Sequence, residues 1–125
     1  MNNDRRLLGS VKAMIDWNRV NELRDEIGTD DFAEVVDMFL EEADEVIARM
    51  SPTGGSKLLE ADLHFLKGAA LNLGFADFAA LCQDGERGAA LGHTDADLAA
   101  VSRIYDLSKS ALAARPATNS DFDKS

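Results

Sequence analysis

The stretch His64-Phe65-Leu66-Lys67-Gly68-Ala69-Ala70-Leu71-Asn72-Leu73-Gly74 holds the residue types best suited to chemistry. An imidazole with a free ring nitrogen is a competent nucleophile near neutral pH. Leu59, Leu63, Leu66, Ala70 and Leu73 recur at helical spacing and define a buried face. On a wheel of about 100° per residue centred on that face, His64 lies roughly 140° away and Lys67 about 80°. Leu71 falls at about 120° and Gly68 at about 180° on the same wheel. The histidine therefore points outward, with a cation one turn on and no side chain at i+4. Lys67 can reach an anion held on the ring. A phosphoryl group there brings about two negative charges. Gly68 clears the approach to the ring, and the apolar Leu71 offers a docking contact.

The elements that must position these residues are helical. Ala and Leu dominate, and no apolar/polar alternation signals a strand. A first short helix is predicted over 16–27, with Asp16 as N-cap and Gly28 after its end. Trp17, Val20, Leu23 and Ile27 form its apolar side, and residues 7–15 read as a loosely packed lead-in turn. The second helix starts at Thr29 or Asp30. Its stripe is Phe32, Val35, Val36, Phe39, Leu40, Ala43, Val46, Ile47 and Met50, and the break at Ser51-Pro52-Thr53-Gly54-Gly55 ends it. The third helix runs from Ser56, read as its N-cap, to Gly74. The fourth spans about 76–91 with Phe78, Leu81, Cys82 and Ala89 inward. Gly85 and Gly88 weaken it in isolation but allow close helix approach.

After Gly92-His93, Thr94 and Asp97 resemble a capping box for a fifth helix. That helix carries Leu98, Val101, Ile104, Tyr105, Ser108 and Leu112 and stops before Pro116. The expected fold is all-α, an antiparallel four-helix bundle with a short additional N-terminal helix. The expected organisation is a flexible N-terminus at 1–9, the bundle at 10–114 and a disordered polar tail at 115–125.

Composition narrows the function. The chain has 125 residues, 46% hydrophobic and 29% charged, with a formal charge of −10. That fits one globular domain. Between Glu22 and Glu45 stand eleven acids and one base, Arg24, so the whole imbalance lies in one segment. Its simplest reading is a solvated face; a functional one is steering or rejection of partners. The acidity argues against a nucleic-acid partner and against an anionic membrane surface. Cys82 is the single cysteine and falls on a buried stripe, so a core thiol in a reducing compartment is expected. No apolar run approaches a membrane span, and no signal-peptide core precedes the first helix. A cytoplasmic monomer is the default expectation. No His/Cys/Asp/Glu grouping has metal-ligand spacing, and His93 reads as an incidental loop residue.

His64-x-Leu66-Lys67-Gly68-Ala69-Ala70-x-x-Leu73-Gly74 resembles the signature of histidine-containing phosphotransfer (HPt) domains. The family pattern continues through Phe78 and Leu81 to a Glu or Gln at the position of Glu86, reached without a gap. The resemblance covers about residues 16–113. Phe65 is bulkier than the usual residue after the histidine, and Gly85 stands where the family usually has leucine.

The resemblance implies a phosphotransfer intermediate with no ATP-dependent kinase activity of its own. It would shuttle a phosphoryl group between receiver-domain aspartates in a multistep two-component phosphorelay. His64 would be the phosphorylated residue, Lys67 would stabilise the phosphoryl charge, and Gly68 would clear the receiver's approach. Glu86 would accept a hydrogen bond from the other ring nitrogen and set the tautomer, a task Gln83 one turn earlier could share. Phe65, Leu71 and Gln83 would contribute to docking. Response-regulator receivers and a hybrid sensor histidine kinase would be the partners. The chain itself would need no cofactor, with Mg2+ expected only on the partner receiver. Two rivals stand beside this reading. One is a docking module that takes no phosphate; the other is a phosphoacceptor domain of a larger kinase, although Met1 and the polar tail favour a complete small protein.

Overall fold

A computed structural model describes residues 14–114. The expected N-terminal segment 1–9 and tail 115–125 lie outside these residues, as does 7–13 of the lead-in. Five α-helices follow in order: α1 (Trp17–Ile27), α2 (Thr29–Arg49), α3 (Ser56–Leu73), α4 (Ala76–Ala90) and α5 (Leu98–Ala113). A 3-10 turn at Pro52–Gly54 joins α2 to α3. The described residues contain no strand, only an isolated antiparallel bridge between Ile15 and Phe75. The all-α expectation holds.

One apolar core unites the helices. Val20 and Leu23 of α1, Val36, Ala43 and Val46 of α2, and Leu59, Leu63, Leu66, Ala70 and Leu73 of α3 are buried in it. Phe78, Cys82 and Ala89 of α4 and Val101, Tyr105 and Leu112 of α5 complete it. These are the stripes read from periodicity. The exposed faces carry the acids Glu34, Asp37, Glu41, Glu42 and Glu45 of α2, as a solvated face requires.

Helices α3 and α4 share the most extensive contact, and two glycines explain it. A Cβ at Gly85 would sit 2.9 Å from Leu63 Cδ1, so the missing side chain is what lets α4 lie on α3 there. Gly74 ends α3 in the left-handed conformation at φ 82°, and its N–H donates to the Ala70 carbonyl. A Cβ at Gly74 would meet the Asp16 backbone oxygen at 2.8 Å. The turn between α3 and α4 is thus pressed against the start of α1.

Three sequence expectations need correction. Ile15 does not pack loosely. It is buried, bridged to Phe75, and flanked by hydrogen bonds from Asp16 N–H to Gly74 O (2.7 Å) and from Ala76 N–H to Met14 O (3.1 Å). Ser56 is not an N-cap: α3 starts at Ser56 itself, after Gly55, with no side-chain cap. The Thr94 capping box does not form. Asp97 caps α5 by accepting from Ala100 N–H at 2.9 Å, because the helix begins at Leu98, three residues later than a Thr94 cap would place it. The Asp16 cap does form, accepting from Arg19 N–H at 3.2 Å.

Polar links hold the outer helices. The Tyr105 hydroxyl lies 2.6 Å from Asp44 Oδ1 and 3.1 Å from the Leu40 carbonyl, tying α5 to α2. Burial pushes the Asp44 carboxyl up, but the Tyr105 hydroxyl and Lys109 ammonium together hold it below the usual carboxylate range. Arg49 at the end of α2 pairs with Asp62 at 3.0 Å. Asp62 is buried two residues before His64, and this pairing keeps its charge from being left alone in the interior.

Candidate functional site

The site forms where α3 and α4 run side by side. His64 projects from the outer face of α3 with its side chain 68% exposed. Its Nδ1 lies 2.8 Å from Glu86 Oε2 on α4. An ionised carboxylate only accepts, so Nδ1 carries the proton and donates. In the neutral ring the lone pair then resides on Nε2, which has no hydrogen-bond partner among the described residues. The carboxylate from α4 has thereby selected the tautomer whose free nitrogen is Nε2, on an exposed ring.

Lys67 closes the triad. Its Nζ lies 2.9 Å from Glu86 Oε1 and its side chain is only 24% exposed. The ammonium is the partner of an oxygen that is otherwise buried without a donor. Lys67 is the foremost influence holding Glu86 below the usual carboxylate range; burial opposes it, and His64 adds to it. Glu86 is thus kept ionised and aimed, one oxygen toward each partner.

Gly68 stands in open space. A Cβ built there would meet nothing within 4 Å. No internal contact requires this glycine, in contrast to Gly74 and Gly85. Its absent side chain leaves the surface beside the imidazole bare to an approaching body. Phe65 (39% exposed) and Leu71 (58%) flank that surface as exposed apolar groups. Gln83 is exposed and makes no bond to His64; it lines a shallow depression with Lys67, Glu86, Arg87, Ala90 and Glu60.

Cys82 is fully buried in the core one turn before Glu86. Burial first, then the Glu86 charge, pushes its thiol up to about 12, so it stays protonated and inert. His93 sits in the loop after α4, where its backbone N–H donates to the Gly88 carbonyl. The described residues contain no grouping of His, Cys, Asp or Glu able to hold a metal ion. No described helix is long and apolar enough to cross a membrane.

Two further residues, not singled out by the sequence motif, border the site. Lys57 and Glu60 line an open depression together with Ala61, His64 and Glu86. Their signal was available as spacing, since Glu60 stands one turn before His64 and Lys57 two turns before it.

A family model described as Hpt domain matches residues 34–114, more than half of the chain. No curated protein and no solved structure matches it. The matched span contains His64, Lys67, Gly68 and Glu86 and leaves α1 outside.

Proposed function

The chain belongs to the Hpt domain family, whose activity is histidine phosphotransfer in phosphorelay signalling, and we propose that His64 is the residue that carries the phosphoryl group. The observation that supports this most is the 2.8 Å contact from Nδ1 to Glu86, which leaves Nε2 unprotonated on an exposed ring.

The chemistry follows from that tautomer. The Nε2 lone pair attacks the phosphorus of a receiver's phosphoaspartate. The P–Nε2 bond forms as the bond to the aspartyl oxygen breaks, and the aspartate leaves as carboxylate. The ring, still protonated at Nδ1, becomes positively charged, and the Glu86 carboxylate stabilises that charge where it develops. Lys67, at present bound to Glu86, offers its ammonium to the phosphoryl oxygens. Gly68 admits the receiver, with Phe65, Leu71 and Gln83 at the contact. In the reverse step a receiver aspartate attacks phosphorus and the electron pair returns to Nε2. The Mg2+ that assists phosphoryl transfer belongs to the receiver.

In this role α2 to α5 would pack as an antiparallel four-helix bundle, and the protein would act as a monomer in the cytoplasm, with a hybrid sensor kinase upstream. No ATP-dependent kinase activity is expected of the chain.

Incubation with a phosphorylated receiver tests the proposal. An acid-labile, base-stable label is expected on His64 and none on His64→Gln. Glu86→Ala is expected to slow labelling without abolishing it. A label that persists in His64→Gln would overturn the assignment.

A further inference from the structure

Two open depressions flank the His64–Glu86 pair, and one carboxylate lines both. Glu60 borders the first with Lys57, Ala61, His64 and Glu86, and the second with Lys67, Gln83, Glu86, Arg87 and Ala90. It stands one turn before His64 on α3, the direction in which helical side chains lean. Glu86 is neutralised by Lys67, and Arg87 lies 3.8 Å from Asp84. Glu60 has neither an ion pair nor a side-chain hydrogen bond among the described residues. Lys57, three residues before it, is not within ion-pair distance. From His64 to Gly74 the outer face of α3 carries no acid, so Glu60 is the acid that ends this neutral stretch.

We propose that Glu60 tunes phosphoryl transfer at His64, its uncompensated charge disfavouring the dianionic phosphoryl group on Nε2 and so poising that group for donation. The inference rests on His64 being the carrier. Glu60 does not touch the reacting nitrogen; it acts through space. Like charges in one solvent-exposed depression repel modestly, and salt screens them. The groups facing the phosphoryl are Lys57, Glu60 and Lys67 from α3, and Gln83, Glu86 and Arg87 from α4. Of these, Glu60 is the acid with no cation of its own. Two unit charges about 8 Å apart in water shift a pKa by roughly half a pH unit, which sets the size of the effect.

Phosphoramidate serves as a donor that needs no receiver. The Nε2 lone pair attacks its phosphorus, the P–N bond breaks, and nitrogen leaves as ammonia. Wild-type, Glu60→Gln and Glu60→Asp proteins are labelled at low salt and followed by 31P NMR across pH. Glu60→Gln is expected to label about twofold faster. Its phosphohistidine should titrate its second phosphoryl proton roughly half a pH unit lower than wild type. Glu60→Asp should stay near wild type, and molar salt should erase the differences. A merely structural role for Glu60 would leave the 31P titration unmoved. Identical titrations of Glu60→Gln and wild type at low salt would overturn the inference while leaving His64 as carrier. Failure of wild type to take label at His64 would instead remove the reading beneath it.

Discussion

At the scale of single residues, the three glycines at or near the site do different work, although the sequence writes them alike. Gly74 is required by a positive φ and by the Asp16 backbone oxygen at 2.8 Å. Gly85 is required by Leu63. Gly68 is required by nothing inside the molecule, which makes it the place where stability and function part. Gly68→Ala replaces a flexible helical residue by a good helix former in open space. It is expected to stabilise the fold by about 0.5–1 kcal/mol while slowing transfer from a receiver. Gly68→Gln should block transfer and still fold. Urea denaturation and phosphotransfer on the same samples check both halves, and an unslowed Gly68→Gln would contradict the steric role. The outward histidine, Lys67 and Gly68 were legible from the helical wheel, because one helix decides their relative directions. The Lys67–Glu86 pair was not, because it depends on how two helices face each other.

At the scale of elements, α4 delivers Glu86 to His64 only because α4 lies close on α3. The chain departs from the family's usual leucine at Gly85, and the structure gives the reason in the Leu63 side chain beneath it. Leu63 is fully buried, so moving it aside would disturb the packed core around it. Gly85→Leu should therefore destabilise the bundle by about 1–3 kcal/mol through overpacking, despite a gain in helix propensity. It should also lengthen the reach from Glu86 to His64 and slow transfer. The denaturant midpoint and the labelling rate measure the two effects. A Gly85→Leu variant as stable and as fast as wild type would show that the close approach is dispensable. The helices themselves were readable from their apolar periodicity. Their caps were less so: Asp97 rather than Thr94 took the N-cap of α5, since either oxygen could serve and the loop geometry chose.

At the scale of the whole molecule, the charge of −10 is a property of one flank. On α2, Glu34, Asp37, Glu41, Glu42 and Glu45 are exposed and have no ion pair among the described residues; Asp44 alone is taken up, by Tyr105 and Lys109. Unpaired like charges on one helix face repel, and salt relieves them. Raising ionic strength from about 0.01 M to 1 M is expected to raise the melting temperature. The triple change Asp37→Asn, Glu41→Gln and Glu45→Gln should flatten that dependence. Thermal unfolding in both salts is the check, and an equal salt response in the two proteins would mean that the face carries no net strain. The site lies on a different helix, on a stretch of α3 whose one full charge between His64 and Gly74 is Lys67.

Periodicity in the sequence by itself determined the all-helical class, the buried stripes and the outward direction of His64, since these depend on spacing along a single chain segment. The residue identities from His64 to Gly74, rather than their periodicity, carried the resemblance to the Hpt signature. Tertiary structure alone decided the rest. It set which carboxylate oxygen meets which partner, buried Ile15 against Phe75, and separated a glycine that clears the surface from two that permit packing. Each of these turns on a distance between segments far apart in the chain, and such distances are set by how side chains fill the space between helices, which no one-dimensional pattern records.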